Sequence, residues 1–380
     1  MTTVTEKTRH TLHHGQALAN WSAVTLLHNR KARCQDLRSS TARGKFQSIE
    51  CMGDRKQPCY LEQRESVKIA YLILAHDHPK HFHRLIQRLS SDDVYFYVHI
   101  DAKADLSLFS GIAHPRLRFC EERKDCAWGD ISLVDATLAL VKMALEDETP
   151  CDYFVLLSGA CYSLQPTAYI DAFLTARKGQ EFIEVFAMPN AEYGKPIQRL
   201  TNFWIRKSKP LLGLKWRLQR FLNRVIVARD YKKGLNGAQP MVGSQWWALS
   251  QEALTFITLF LKNNPRFYQF CKNIDCPDEF VFQTILWNSP FKAKISHSLT
   301  YTHWLPGKVG PENIDASYFP VFRQRVICDS LQNNCPNEKR EVLFSRKFTH
   351  AASDFLDKMD EIILAKEGLH KSSMLCADMR

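Results

Sequence analysis

The chain has 380 residues, of which 45% are apolar, 11% aromatic and 24% charged, with a formal net charge of +11 and 12 cysteines. That length holds one large α/β domain or two smaller ones, and the composition excludes a low-complexity or fibrous chain. No stretch approaches the ~18 or more consecutive apolar residues of a membrane-spanning helix, and no Cys-x-x-Cys pair marks a metal cluster.

Residues 1–66 lack the succession of a secretory signal, because Ala17 to Leu27 is broken by Asn20, Ser22 and Thr25. They read as a poorly ordered basic leader. Reduced thiols in a cytoplasm are the expectation. The domain then begins at Val67, where Val67 to Ala75 is almost continuously apolar, as in a strand buried on both faces of a parallel sheet. Pro79 opens a helix with Phe82, Leu85, Ile86 and Leu89 on one face, and a strand at Val94 to Ile100 ends on Asp101. Further strands are predicted at Leu117 to Cys120, Tyr153 to Leu157 and Phe182 to Phe186, with helices from Ile131 to Leu145 and around Thr167 to Ala176.

Such alternation predicts βαβ units and a doubly wound, mostly parallel sheet flanked by helices. Ligands of these sheets sit at the carboxyl ends of the strands. That rule favours His76, Asp101, Ser158-Gly159 and Glu184.

Arg199 to Lys233 is a basic stretch with interleaved Trp204, Trp216, Phe221 and leucines. It reads either as a membrane-surface or polyanion contact, or as a solvated basic face over a buried apolar one. Past Gly243-Ser244-Gln245-Trp246-Trp247, helices are predicted at Glu252 to Leu261 and Glu279 to Leu286, then a loop-rich region to Arg340 and a last helix near Ala352 to Ala365. The organisation is a leader (1–66), a catalytic domain (67–350) and a C-terminal helix and tail (351–380).

Asp278-Glu279 follows Pro277 at the start of a predicted helix, where acidic residues are commonplace because they complement the helix dipole. The functional alternative is a carboxylate that accepts a proton. His76, His78, His81 and His83 suggest a metal site, but Pro79 interrupts them and no carboxylate or cysteine pattern completes a ligand set. There is no Asp-x-Asp triplet to hold a metal on a nucleotide diphosphate, no phosphate loop, no dinucleotide fingerprint and no hydrolase elbow. An enzyme without a metal stabilises a leaving diphosphate with fixed cations, for which Arg346-Lys347 is a candidate.

Several segments together resemble glycosyltransferase family fourteen, which holds the core-2/I-branching β-1,6-N-acetylglucosaminyltransferases and the peptide O-xylosyltransferases. They are Ala70 to His76, Val98-His99-Ile100-Asp101, Ala127-Trp128-Gly129, Leu156-Leu157-Ser158-Gly159, Gly243 to Trp247, Pro277-Asp278-Glu279-Phe280 and Leu343 to Phe348. The resemblance implies a GT-A-type fold, inversion at the anomeric carbon, a UDP-sugar donor carrying GlcNAc or xylose, a glycan or protein acceptor, and no metal or other cofactor. It implies Glu279 as general base. Leu74, His76, Asp101, Trp128 and Lys347 fall on the donor, with Arg325, or alternatively Arg323, as the diphosphate arginine. Glu184 and Trp246 fall on the acceptor. Where many relatives carry a carboxylate in Ser-Gly-x-Asp-x-Pro, this chain has Cys161. No nucleic-acid partner is expected. Eukaryotic relatives are anchored in the Golgi, so the lack of an anchor favours a bacterial cytoplasmic enzyme, peripheral to the membrane if the basic stretch binds there. The rival outside the enzyme class is a polyanion-binding protein on a transferase-like fold.

Overall fold

The computed structural model describes residues 66–205, 212–225, 228–305, 310–328, 340–349 and 353–377. The leader and the end of the loop-rich region before Arg340 lie outside them. Val67 opens the core, and its apolar run forms β1 (Ile69–Ala75), buried along almost its whole length. Next comes α1 (Pro79–Leu89), started by Pro79 and burying Phe82, Leu85, Ile86 and Leu89. It is followed by β2 (Val94–Ile100), β3 (Leu117–Phe119) and α2 (Ile131–Glu146). The Asp130 carboxylate caps α2 by accepting the Ser132 N–H, 3.0 Å.

Beyond it run β4 (Tyr153–Ser158), β5 (Cys161–Ser163), α3 (Thr167–Thr175), β6 (Glu181–Ile183) and β7 (Phe186–Ala187). The basic stretch contributes α4 (Leu212–Val225). Then come β8 (Met241–Val242), β9 (Trp247–Ser250), α5 (Gln251–Asn263), α6 (Pro265–Cys271) and α7 (Val281–Trp287). Strands β10 (Ile295–Ser296), β11 (Thr300–Thr302) and β12 (Phe344–Arg346) precede α8 (Ser353–Ala377).

The main sheet has seven strands in the order β10-β6-β9-β4-β1-β2-β3. Its pairs are parallel except around β9, which runs antiparallel to β4 and β6. This is the expected α/β architecture with a mostly parallel central sheet flanked by helices. A second sheet, β11-β12-β5, sets Arg346 opposite Cys161. The core runs through both sheets and includes Tyr71, Phe82, Phe96, Tyr162 and Phe344.

Two differences from the sequence reading bear on function. Glu279 does not start a helix: Cys276 takes a left-handed conformation (φ 50°), Pro277–Glu279 forms a 3-10 turn, and Phe280 (φ −127°) separates it from α7. The last helix runs twelve residues past its expected end at Ala365 and docks on the domain. There Arg84 donates to Asp357 and Asp360, both at 2.7 Å, and the Tyr162 hydroxyl donates to Asp360, 2.8 Å.

Candidate active site

Two tight backbone approaches shape the carboxyl edge of the sheet. The Gly159 N–H donates to the Leu74 carbonyl, 2.8 Å, and a Cβ at Gly159 would stand 2.8 Å from the Ala75 Cβ. Only glycine lets β4 turn away there against β1. At Gly243 a Cβ would fall 1.8 Å from the Glu184 carbonyl oxygen, while its N–H donates to the Glu279 carbonyl, 2.9 Å. Gly243 therefore joins the Glu184 segment to the Glu279 turn.

The Glu279 Oε2 accepts from the Lys195 ammonium, 2.6 Å, and from the Arg199 guanidinium, 2.7 Å. All three side chains are largely buried, 16 to 19% exposed. Oε1 accepts no hydrogen bond among the described residues. A carboxylate held on one oxygen by two hydrogen-bonding cations has a fixed orientation, which leaves the second oxygen to take a proton. Lys195 is placed by a short hairpin, in which it exchanges backbone hydrogen bonds with Asn190 at 2.8 and 2.9 Å across a turn at Gly194 (φ +60°). Arg199 lies on the helical turn Gln198–Thr201. The sequence reading placed Arg199 in a general basic stretch and passed over Lys195. The signal was a pair of cations four residues apart just after the Glu184 to Pro189 segment.

Trp128 is 64% exposed, and the carbonyl of the following Gly129 accepts the Cys276 N–H, 3.3 Å, so the Trp128 loop abuts the Glu279 turn. Asp101 is buried at the end of β2, where its carboxylate accepts from the Lys103 N–H, 2.9 Å, the Cys126 N–H, 3.3 Å, and the Lys103 ammonium. Arg123 donates to the carbonyls of Ile100, Asp101 and Ala104. Asp101 thus pins the loop that leads to Trp128. His76 is exposed just beyond β1, with Asp77 between it and His78.

The Nε2 atoms of His76 and His78 both face Asp77 Oδ2, at 3.4 and 3.3 Å, and His81 does not join them. His81 is buried, with its ring hydrogen-bonded to the Cys161 carbonyl at 2.9 Å and burial lowering its pKa. Among the described residues no group of three or more His, Cys, Asp or Glu gathers as metal ligands would. Cys161 is also buried. Its sulfur accepts from the Ser158 N–H, 3.3 Å, and burial pushes the thiol up.

Lys347 follows β12, where the Phe348 N–H donates to the Ala160 carbonyl, 2.9 Å, beside the Gly159 turn. The structure therefore gathers Leu74, His76, Asp101, Trp128 and Lys347 along the carboxyl edge of the sheet. Arg325 lies elsewhere. Its carbonyl accepts from the Gln165 amide, 2.9 Å, past the Ser163 end of β5, whereas Lys347 lies past the Cys161 end. Arg323 ends the helical turn Phe319–Phe322 and is exposed. The arginine set beside Lys347 is Arg346, whose guanidinium stacks over the Trp246 ring at 4.5 Å and feels the charge of Asp278. It makes no side-chain hydrogen bond among the described residues, and burial lowers its pKa from the usual arginine value. Trp246 is buried and acts as the platform for Arg346. Glu184 lines a small polar cavity with Ser244, Ser298 and Thr300, across Gly243 from Glu279.

Residues 69–324 match the family model described as Core-2/I-Branching enzyme. Among curated proteins, xylosyltransferase 1 of Mus musculus is 22% identical over 246 residues, covering 63% of this chain and 24% of the relative. Xylosyltransferase oxt of Drosophila melanogaster is 23% identical over 257 residues, 64% of this chain and 27% of the relative. The chain thus spans about a quarter of the length of these relatives. Among solved structures, a candidate glucose-1-phosphate thymidylyltransferase of Bacillus anthracis in complex with a sucrose aligns with 60% of this chain and 86% of its own. The TM-score is 0.30 at 11% identity.

Proposed function

The chain belongs to the Core-2/I-Branching enzyme family, and on that premise we propose that it is a glycosyltransferase that inverts the anomeric carbon without a metal, moving GlcNAc or xylose from a UDP-sugar to a hydroxyl of a glycan or protein. The observation that carries this reading is the Glu279 carboxylate, held by Lys195 and Arg199 through Oε2 between the Trp128 loop and the Gly243 segment. Oε1 takes the proton of the acceptor hydroxyl as that oxygen attacks C1, and UDP leaves from the opposite face. Lys347 and Arg346 neutralise the charge that develops on the departing diphosphate. Arg346 takes this role in place of Arg325 because it directly precedes Lys347, past the Cys161 end of β5. Trp128, His76 and Leu74 border the uridine end of the donor, with Asp101 supporting the Trp128 loop. Glu184 and Trp246 border the acceptor side.

The names of the curated relatives favour xylose as the donor sugar, and peptide O-xylosyl transfer is the specific alternative. UDP-xylose and UDP-GlcNAc are to be compared for saturable binding and for turnover, each with and without EDTA. Glu279→Gln is expected to keep UDP binding and to lose transfer by about 10²- to 10⁴-fold. A folded Glu279→Gln protein with near-normal transfer would remove Glu279 from the mechanism. Activity lost to EDTA and restored by a divalent cation would refute the metal-free reading. Binding of polyanions with no turnover of any UDP-sugar would favour the non-catalytic rival.

A further inference from the structure

The basic stretch folds into α4 in a way that separates its two readings. A solvated helix over a core buries its apolar stripe. Here Leu218, Phe221 and Val225 are 47%, 58% and 57% exposed. At 3.6 residues per turn they fall within about 60° of one another around the helix. Arg217, Arg220 and Arg224 are exposed as well and form a second stripe, also about 60° wide, directly beside the first. None of the three arginines makes an ion pair among the described residues, and Leu212–Val225 contains no Asp or Glu. Gln219, on the opposite side, is buried and fastens the helix down. Its carbonyl accepts the Ile205 N–H, 2.9 Å, and its amide donates to the Phe203 carbonyl, 2.7 Å, and to Asn223, 2.8 Å.

We propose that α4 is a docking helix for an anionic phospholipid bilayer, with Arg217, Arg220 and Arg224 on the headgroup phosphates and Leu218, Phe221 and Val225 at the acyl boundary. An apolar stripe alone would fit any protein partner, and arginines alone would fit any polyanion. A headgroup layer over hydrocarbon matches both stripes side by side. The anchoring segment reaches the catalytic wall directly. Trp204 exchanges hydrogen bonds with Asn273, both at 3.0 Å, and the Asp275 N–H donates to the Arg199 carbonyl, 3.1 Å, within the chain that leads to Glu279. A docked α4 therefore holds the Arg199–Glu279 wall near the bilayer surface.

The test is flotation of the full chain with vesicles of phosphatidylcholine alone or mixed with phosphatidylglycerol, at low and high salt. It needs no donor or acceptor and is independent of the transferase reading. Binding is expected only to the phosphatidylglycerol vesicles and is expected to weaken with salt. The triple variant Arg217→Gln, Arg220→Gln, Arg224→Gln is expected to lose about 5-fold per arginine, on the order of 100-fold in all. Phe221→Ser is expected to lose about 10-fold. These side chains are exposed, so unchanged urea midpoints are the control for folding. No flotation of the wild type overturns the proposal, and so does equal flotation on both vesicle types. Loss on the arginine substitutions with none on Phe221→Ser, together with full retention on heparin, also overturns it in favour of a polyanion surface.

Discussion

Lys366 gives a quantitative test of how α8 is seated. It is buried, and its ammonium donates to the Leu164 carbonyl, 2.8 Å, and to the Gln165 side-chain oxygen, 3.3 Å. Burial lowers its pKa to about 8 from an ordinary 10.5, against the opposing influence of the Glu341 carboxylate. Because the folded value lies below the unfolded one, the unfolded chain holds a proton that the folded chain releases between these two pH values. The contribution of this group to stability therefore rises with pH across that window and is absent below it. From pH 7 to about pH 9.5 the rise amounts to about 2 kcal/mol. Buried thiols act in the opposite sense: burial pushes Cys126 and Cys151 up to about 12, so their unfolded forms ionise first as pH rises. The comparison with Lys366→Met cancels them. Urea unfolding of both proteins at the two pH values is expected to show the wild type gaining about 2 kcal/mol relative to Lys366→Met. A stability difference that stays constant between the two pH values would refute the reasoning.

Gly243→Ala is expected to destabilise by about 1 to 3 kcal/mol or more and to depress transfer, since the new Cβ would stand 1.8 Å from a backbone oxygen that cannot swing aside. Thermal denaturation and turnover measured together check it, and a native-like melting curve with full activity contradicts it. Lys195→Met and Arg199→Met each leave Oε2 of Glu279 with one cation, whereas the double variant leaves it with neither. The double variant is expected to lose more stability than the sum of the single ones, by about 0.5 to 3 kcal/mol, in a denaturant double-mutant cycle. Strict additivity would show that the two cations do not act on the same carboxylate.

Five of the seven strands of the main sheet, β1, β2, β3, β4 and β6, were legible from their apolar runs, because strands buried on both faces must be apolar throughout, whereas the short β9 and β10 were not read as strands. The carboxyl-edge positions His76, Asp101, Ser158 and Glu184 followed from the same alternation, since each ends or follows a strand. The local reading of Glu279 missed its setting: a helix-start carboxylate was expected, and a left-handed Cys276 instead turns it back between Lys195 and Arg199. Arg325, with Arg323 as the alternative, came from the family resemblance, which says nothing about which end of β5 its loop crosses.

What the sequence by itself determined is the α/β architecture and the amphipathic composition of α4, and it supplied Glu279 and Lys347 as the candidate carboxylate and lysine. Only the tertiary structure decided which cations meet Glu279, that the Arg346 guanidinium lies over Trp246, and that the apolar stripe of α4 faces outward. The first set rests on patterns within one element, whose geometry repeats with a fixed period. The second depends on contacts between segments far apart in the chain, such as Lys195 with Glu279, and no local period encodes which distant side chain will be the neighbour.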